Sequence, residues 1–440
     1  MFKYYVFFSA FLIGVPLGVF LLSLWRQLVP WLVAGIVFSM AFPLKLSIAF
    51  LGEPLYPQLT TGFEVHAADL GMLVFAIHIL LHPKRYNARF MVPVTGAILA
   101  YIGVSVLSWA TQHHNVDLGA TSEFLDARSR FDVLLLQRFD RFQVYLYPLF
   151  EISLFCRGLL AFWVSVHIFR EQSARTALLY SIAALILYLT VRALMARYVF
   201  GDVRVSLGYG HVNVFNTFVA LMGIPVATFA LARQRFTGSL ICLAATFGAL
   251  LTIVLTVSRS SLSGFLLGCL IVLILSFSRF YSIRNLAYLG LAMLGIAAIG
   301  AKAADTFLQR MAEESYSASV EERGLYIATA VAMAKDNLLG VGPGNYSAMA
   351  WLKYAEEAGG FTTLVHNIWY LHCAEVGYIG ALLYGLVWLR LLQYCISSYI
   401  YTGISRDKEL VAWLIAGTVC LIPIHVQNFY HHASRFSTVY

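Results

Sequence analysis

The sequence predicts an all-α polytopic membrane protein of about 12 transmembrane helices, with one large periplasmic loop that contains amphipathic helices. Three observations predict it. Of 440 residues, 60% are hydrophobic and only 12% charged, with a mean hydropathy of +0.76. The apolar residues gather in runs of about 20, the length that crosses a bilayer. Basic residues recur in every second connection between those runs. Twelve such spans would occupy about 240 positions, so little chain is left for a soluble domain. Soluble-enzyme and nucleic-acid-binding classes are excluded on that ground, despite a pI near 9.1.

The first run, 6–24, follows only Lys3 and shows no small-residue cleavage site before Arg26, so it reads as a retained span rather than a signal peptide. Further runs cover 28–44, 66–81, 90–109, 146–168, 176–196, 213–232, 238–257, 260–277, 285–301, 367–389 and 410–429. As one helix, 238–277 would be about 60 Å long, twice the hydrocarbon thickness, so it must break near Ser258–Ser261. The alternate connections carry Arg26; Lys84, Arg85 and Arg89; Arg170 and Arg175; Arg233 and Arg235; Arg279 and Arg284; and Arg390, Arg406 and Lys408. They hold thirteen of the 30 basic residues but only three of the 22 acids. The positive-inside rule makes that side cytoplasmic. Both long hydrophilic connections, 110–145 and 302–366, then lie on the opposite side, and the chain reads as one integral domain over 1–440. Cys156, Cys242, Cys269, Cys373, Cys395 and Cys420 fall in or beside apolar runs without metal-like spacing, and read as small buried hydrophobes.

Residues 302–366 are too polar to span and too patterned to be a slack tether. Ser319 and Glu322 form an S-x-x-E capping box, which predicts a helix start there. Leu325, Ala328 and Ala332 then share a face, and Lys335 suits the last turn. Three glycines and a proline in GVGPGNY, Gly340 to Tyr346, end that helix before a second amphipathic stretch over 348–357. A nucleotide loop is excluded here, because no Lys-Ser/Thr follows and no strand-turn-helix context surrounds the glycines.

His366 falls at the mouth of the next run, where an imidazole can stay wet enough to titrate and close enough to headgroups to meet a lipid-linked substrate. Position alone also fits an interfacial polar residue that anchors the helix. Glu375 lies roughly 13 Å further down, where a carboxylate costs on the order of 3 kcal/mol unless paired or hydrated. Arg157 is a candidate partner for it, structural or functional. Arg259 at the predicted break, Arg323 in the first turn of the capped helix, and Arg192, Arg197 and Arg204 near the end of the sixth run fall at the same membrane level as His366. Each could snorkel to headgroup phosphate. Together they suit a diphosphate, since guanidinium groups bind phosphate oxygens bidentately.

The ordered set SRSS at 258, Arg323 ahead of DNLLGVGPGNY at 336, and HNIWYLHCAEVGYIG at 366 resembles the O-antigen ligase and O-antigen polymerase superfamily. GFEVHAADL at 62 and GHVNVFNTFVALM at 210 are similar to segments of exopolysaccharide polymerases. The resemblance implies an inverting glycosyltransferase of the bacterial inner membrane, with its active site facing the periplasm. It implies an undecaprenyl-diphosphate-linked glycan as donor and a glycan or lipid A core as acceptor, with no nucleotide sugar, no cofactor and no essential metal. By motif, Arg259 and Arg323 correspond to arginines that hold the lipid diphosphate, and His366 to the histidine that activates the acceptor hydroxyl. Arg192, Arg197, Arg204, Asn367 and Glu375 are candidate supporting residues with no motif role. Membrane lipids and a chain-length regulator are the further candidate partners. A polymerase is expected, the segments at 62 and 210 favouring it. A ligase to lipid A core is the nearest alternative, and a non-enzymatic lipid-linked sugar transporter a more distant one.

Overall fold

The computed structural model describes residues 2–41, 45–50, 62–112, 141–202, 205–207, 212–231, 236–256, 258–276, 290, 315–354, 365–401 and 405–427, with the side chains of a number of these, those of 45–50, 141–147, 315–321 and Arg259 among them, outside that description. Eleven of the predicted apolar runs fall on helices. The run 285–301 lies outside the described residues except at position 290, as does most of the 110–145 connection.

Among the described residues, six helices are long and apolar enough to cross a membrane: Tyr5–Leu24, Pro148–Ile168, Gln172–Tyr198, Val212–Ala230, Thr237–Thr256 and Ile368–Tyr401. Five more apolar helices, Arg26–Ser39, Ala67–Leu81, Thr95–Thr111, Ser260–Leu275 and Val411–Ile422, are shorter. Three of these are the apolar parts of longer helices, Thr95–Gln112, Arg259–Ser276 and Ser405–Gln427, the last about 34 Å long at 1.5 Å per residue. The helices account for an all-α membrane protein, with six full-length candidates among the described residues. Leu12, Trp31, Ile274 and Leu382 stand exposed on the bundle surface, which suits contact with lipid and not with water.

A β-hairpin was not expected. Strands Lys45–Phe50 and Gly62–His66 pair antiparallel, Lys45 opposite His66. The hairpin feeds straight into the helix Ala67–Leu81, where the His66 N–H donates to Asp69 Oδ2 at 2.7 Å. A carboxylate at that position satisfies an N–H with no helical partner.

The break predicted at 258–261 is present. One helix ends at Thr256 and the next begins at Arg259. The Ser258 carbonyl takes the first bond of the new helix, from the Leu262 N–H at 3.1 Å. The Ser258 hydroxyl reaches Asn213 Oδ1 at 3.3 Å, and Thr256 donates to Asn216 Oδ1. Thr256 and Ser258, on either side of the break, are thus held by polar groups of the neighbouring helix Val212–Leu231.

Three of the predicted basic connections meet at one end of the bundle. Glu171 Oε1 forms ion pairs with Arg26 at 3.1 Å and Arg85 at 3.6 Å, while Arg170 donates to the Tyr86 carbonyl at 2.7 Å.

Three buried clusters build the interior. The largest joins the helices Gln172–Tyr198, Val212–Leu231 and Phe236–Thr256 with parts of Arg259–Ser276 and Ser405–Gln427. A second joins the N-terminal helices to Ala67–Leu81. The third gathers Tyr101, Tyr326, Val341, Tyr346, Val365, Ile368 and Leu371, and it positions the candidate site.

Candidate functional site

The helix Ile368–Tyr401, hereafter the broken helix, is interrupted at Gly377, which takes φ 72° and ψ 177°. That combination is essentially confined to glycine. An unbroken helix would give the carbonyls of Ala374 and Glu375 to the amides four residues on. Here the glycine loop 340–346 supplies donors: Val341 N–H to Ala374 O at 2.8 Å and Gly342 N–H to Glu375 O at 2.9 Å. The Ser108 hydroxyl adds a second bond to Glu375 O, at 2.9 Å. The two backbones touch. A Cβ on Gly340 would lie 2.3 Å from the Glu375 carbonyl carbon, and one on Gly377 would lie 2.1 Å from Leu338 O. Glycine is required at both places. The loop amides of Val341 and Gly342 are committed to the broken helix, in keeping with the exclusion of a nucleotide loop.

The helix Ser315–Asp336, hereafter the arginine helix, packs along the broken helix. It is already helical at Ser315, one turn before the predicted capping box. Nothing between Ser315 and Ser319 opposes a helix, and Ser319 therefore sits inside one. Its buried face is Tyr326, Thr329, Ala330 and Met333, whereas Leu325 and Ala328 of the expected face are exposed. The aromatic and thioether side chains carry more apolar area into the core, and that turns the helix by about one residue. Lys335 lies in the last turn, as expected.

His366 and Arg323 both border this core. His366 is partly exposed, two residues ahead of the broken helix. The Tyr326 ring centre lies 6.3 Å from its imidazole, and Arg323 precedes Tyr326 by one helical turn. Arg323 is exposed and, among the described residues, carries no ion pair. Tyr326 itself is fixed by Tyr346, whose hydroxyl donates to the Tyr326 carbonyl at 2.9 Å. Burial pushes the Tyr346 hydroxyl above its ordinary pKa of 10.0, so it remains a donor.

The remaining expected residues divide clearly. Asn367 caps the broken helix: its Oδ1 accepts the Trp369 N–H at 3.0 Å and the Tyr370 N–H at 3.4 Å. Glu375 is 1% exposed, and its Oε1 lies 3.4 Å from the Tyr346 N–H. The expected Arg157–Glu375 pair is replaced by another: Arg157 Nη1 donates to Asp69 Oδ2 at 3.0 Å, and the Glu375 side chain instead faces the glycine loop. Arg259 opens its helix in the largest cluster, with its side chain outside the described part. Arg192 is exposed and donates to the Tyr188 hydroxyl at 2.9 Å, and Arg197 reaches the Asp202 carbonyl at 3.3 Å. Both stand on a helix of the largest cluster, not of the one that holds His366. Arg204 lies outside the described residues.

Several polar groups were not anticipated. Glu151 is 2% exposed; a lone acid in an apolar run was its available signal. Tyr101 and His372 bond at 3.0 Å, and Tyr384 and His425 at 2.7 Å. The His372 and Tyr384 rings lie 4.1 Å apart, linking the two pairs. Among the described residues, no group of three or more His, Cys, Asp or Glu is arranged to hold a metal ion.

Long apolar helices, an outward-facing apolar surface and a broken helix beside a partly exposed histidine define a multi-pass α-helical membrane protein. A family model described as O-antigen ligase matches residues 244–385, about a third of the chain. Over the stretch from the helix ending at Thr256 through the arginine helix, glycine loop and His366, the chain is therefore similar to O-antigen ligase. No curated protein matches the sequence.

Proposed function

We propose that the protein is a membrane glycosyltransferase that moves a glycan from an undecaprenyl-diphosphate donor to an acceptor sugar hydroxyl at the periplasmic face of the bacterial inner membrane. The observation that carries this reading is the Tyr326 ring 6.3 Å from the His366 imidazole, one helical turn after Arg323 on the arginine helix, inside the stretch that matches O-antigen ligase. His366 takes the proton of the acceptor hydroxyl. The freed oxygen attacks the anomeric carbon, the bond from that carbon to the diphosphate oxygen breaks, and the diphosphate leaves with its charge held by Arg323 and Arg259. One displacement inverts the anomeric carbon, and no step in it requires a metal. Positioned general bases contribute about 10²- to 10⁴-fold, and one charge-stabilising donor roughly 3–4 kcal/mol.

The basic connections around Glu171 support a cytoplasmic assignment for that end under the positive-inside rule. The long 302–366 connection is then periplasmic, within a single integral domain of about twelve spans. The segments at 62 and 210 favour a polymerase. The ligase alternative is favoured by the description of the matching family itself. A transporter is favoured only by the broken helix and the buried His372 and His425, features that also occur in transporters.

Deletion followed by glycan analysis separates these. Single repeat units on the lipid identify a polymerase, and unattached long chains a ligase. A purified protein in vesicles that forms a new glycosidic bond without a transmembrane gradient is an enzyme; one that forms none overturns the proposal.

A further inference from the structure

In the proposed transferase, Arg323 and His366 sit on different segments and must be held in one geometry while the diphosphate leaves. The contacts between those segments form a continuous buried path. It starts where Val341 and Gly342 donate to the carbonyls freed by the break at Gly377. It passes along the glycine loop to Tyr346, 1% exposed, whose amide faces Glu375 and whose hydroxyl holds the Tyr326 carbonyl. A carbonyl oxygen has two lone pairs, so this hydroxyl adds a tie without taking the helical bond. Tyr326 then stands one turn from Arg323 and 6.3 Å, ring centre to ring centre, from His366.

We infer that Tyr346 is a positioning residue: together with the Gly340–Gly377 backbone contact, it sets the distance between Arg323 and His366. This rests on the transferase reading. Tyr346 touches no reacting atom; it fixes the arginine helix against the segment that carries the base. A second tyrosine serves as the contrast. Tyr354 is buried in the same core and bonds Asp336 Oδ2 at 2.9 Å, at the far end of the arginine helix and off this path.

The test uses full-length protein in lipid vesicles with a polyprenyl-diphosphate-linked glycan as donor. Misplacing reacting groups by about 1 Å can cost roughly 10²-fold. On that scale, Tyr346→Phe lowers turnover about tenfold and Gly340→Ala about 10²-fold, while the donor KM stays within about twofold. Tyr354→Phe keeps turnover within about twofold of wild type.

Spin labels at Ala328 and Tyr370, both exposed, report the same geometry without turnover, in a background lacking the six native cysteines. One narrow distance is expected in the wild type and Tyr354→Phe, and a broadened one in Tyr346→Phe and Gly340→Ala. If Gly340→Ala does not fold, Tyr346→Phe decides alone. Unchanged turnover and unchanged distance in Tyr346→Phe overturn the inference, as does an equal loss of turnover in both tyrosine variants. Should the wild type transfer no glycan, the transferase reading falls, and the label distances still decide whether Tyr346 sets the spacing.

Discussion

Arg157 Nη1 lies 3.0 Å from Asp69 Oδ2, with the two side chains only 12% and 15% exposed. The pair ties the helix Arg141–Ile168 to the start of Ala67–Leu81 across 88 residues of sequence. Removing one member of a largely buried pair leaves the other charge without this partner. Arg157→Met is therefore expected to lower stability by about 3 kcal/mol, and Asp69→Asn added to it to recover most of the loss. Thermal unfolding in detergent checks both; equal stability of Arg157→Met and wild type would show that the pair contributes nothing.

Asn367 sits beside the proposed base, yet its side chain is spent on the amides of Trp369 and Tyr370. Asn367→Ala should cost about 1 kcal/mol through the lost cap, and Asn367→Asp should restore it. Calorimetry of the two variants decides this. If the aspartate fails to rescue, capping is not what the residue supplies.

Tyr346 makes stability depend on alkaline pH. Its hydroxyl is pushed above 10.0 in the folded protein by burial, whereas the unfolded side chain titrates near 10. The folded state therefore holds its proton where the unfolded state has lost it. That contribution is complete below pH 10 and declines as pH rises further. The stability advantage of wild type over Tyr346→Phe should shrink between about pH 10 and 11, read from unfolding midpoints; an advantage that grows would contradict the burial argument.

Much of this architecture is legible in the sequence. Apolar runs locate eleven helices, and the excessive length of 238–277 locates the break at Ser258, because hydrophobicity and rise per residue are local properties. Tertiary contacts decide the rest. Arg157 could pair with any acid at its depth in the bundle, and the sequence alone does not select Asp69, 88 residues away, over Glu375. The buried face of the arginine helix follows from what Tyr326 and Met333 find opposite them. Gly377 reads as an ordinary helix glycine until the loop that fills its break is in view. His366 and Arg323 are legible as a helix-mouth histidine and a first-turn arginine; that Tyr326, one turn after Arg323, packs 6.3 Å from His366 required the fold.

Arg323 is exposed on its helix, so replacing it should disturb chemistry more than folding. Arg323→Lys keeps the charge and loses the planar fork that binds phosphate bidentately. Turnover should fall by about 10²-fold or more, with the unfolding midpoint unchanged. Wild-type turnover in a steady-state assay would remove the diphosphate clamp.

The central claim is that His366 is the base. The most direct measurement is glycan transfer by purified His366→Ala in vesicles, with a lipid-diphosphate-linked donor and a defined acceptor, at matched levels of folded protein. The expected result is transfer reduced by about 10²- to 10⁴-fold, with inverted product in whatever activity remains. Transfer at the wild-type rate would contradict the mechanism.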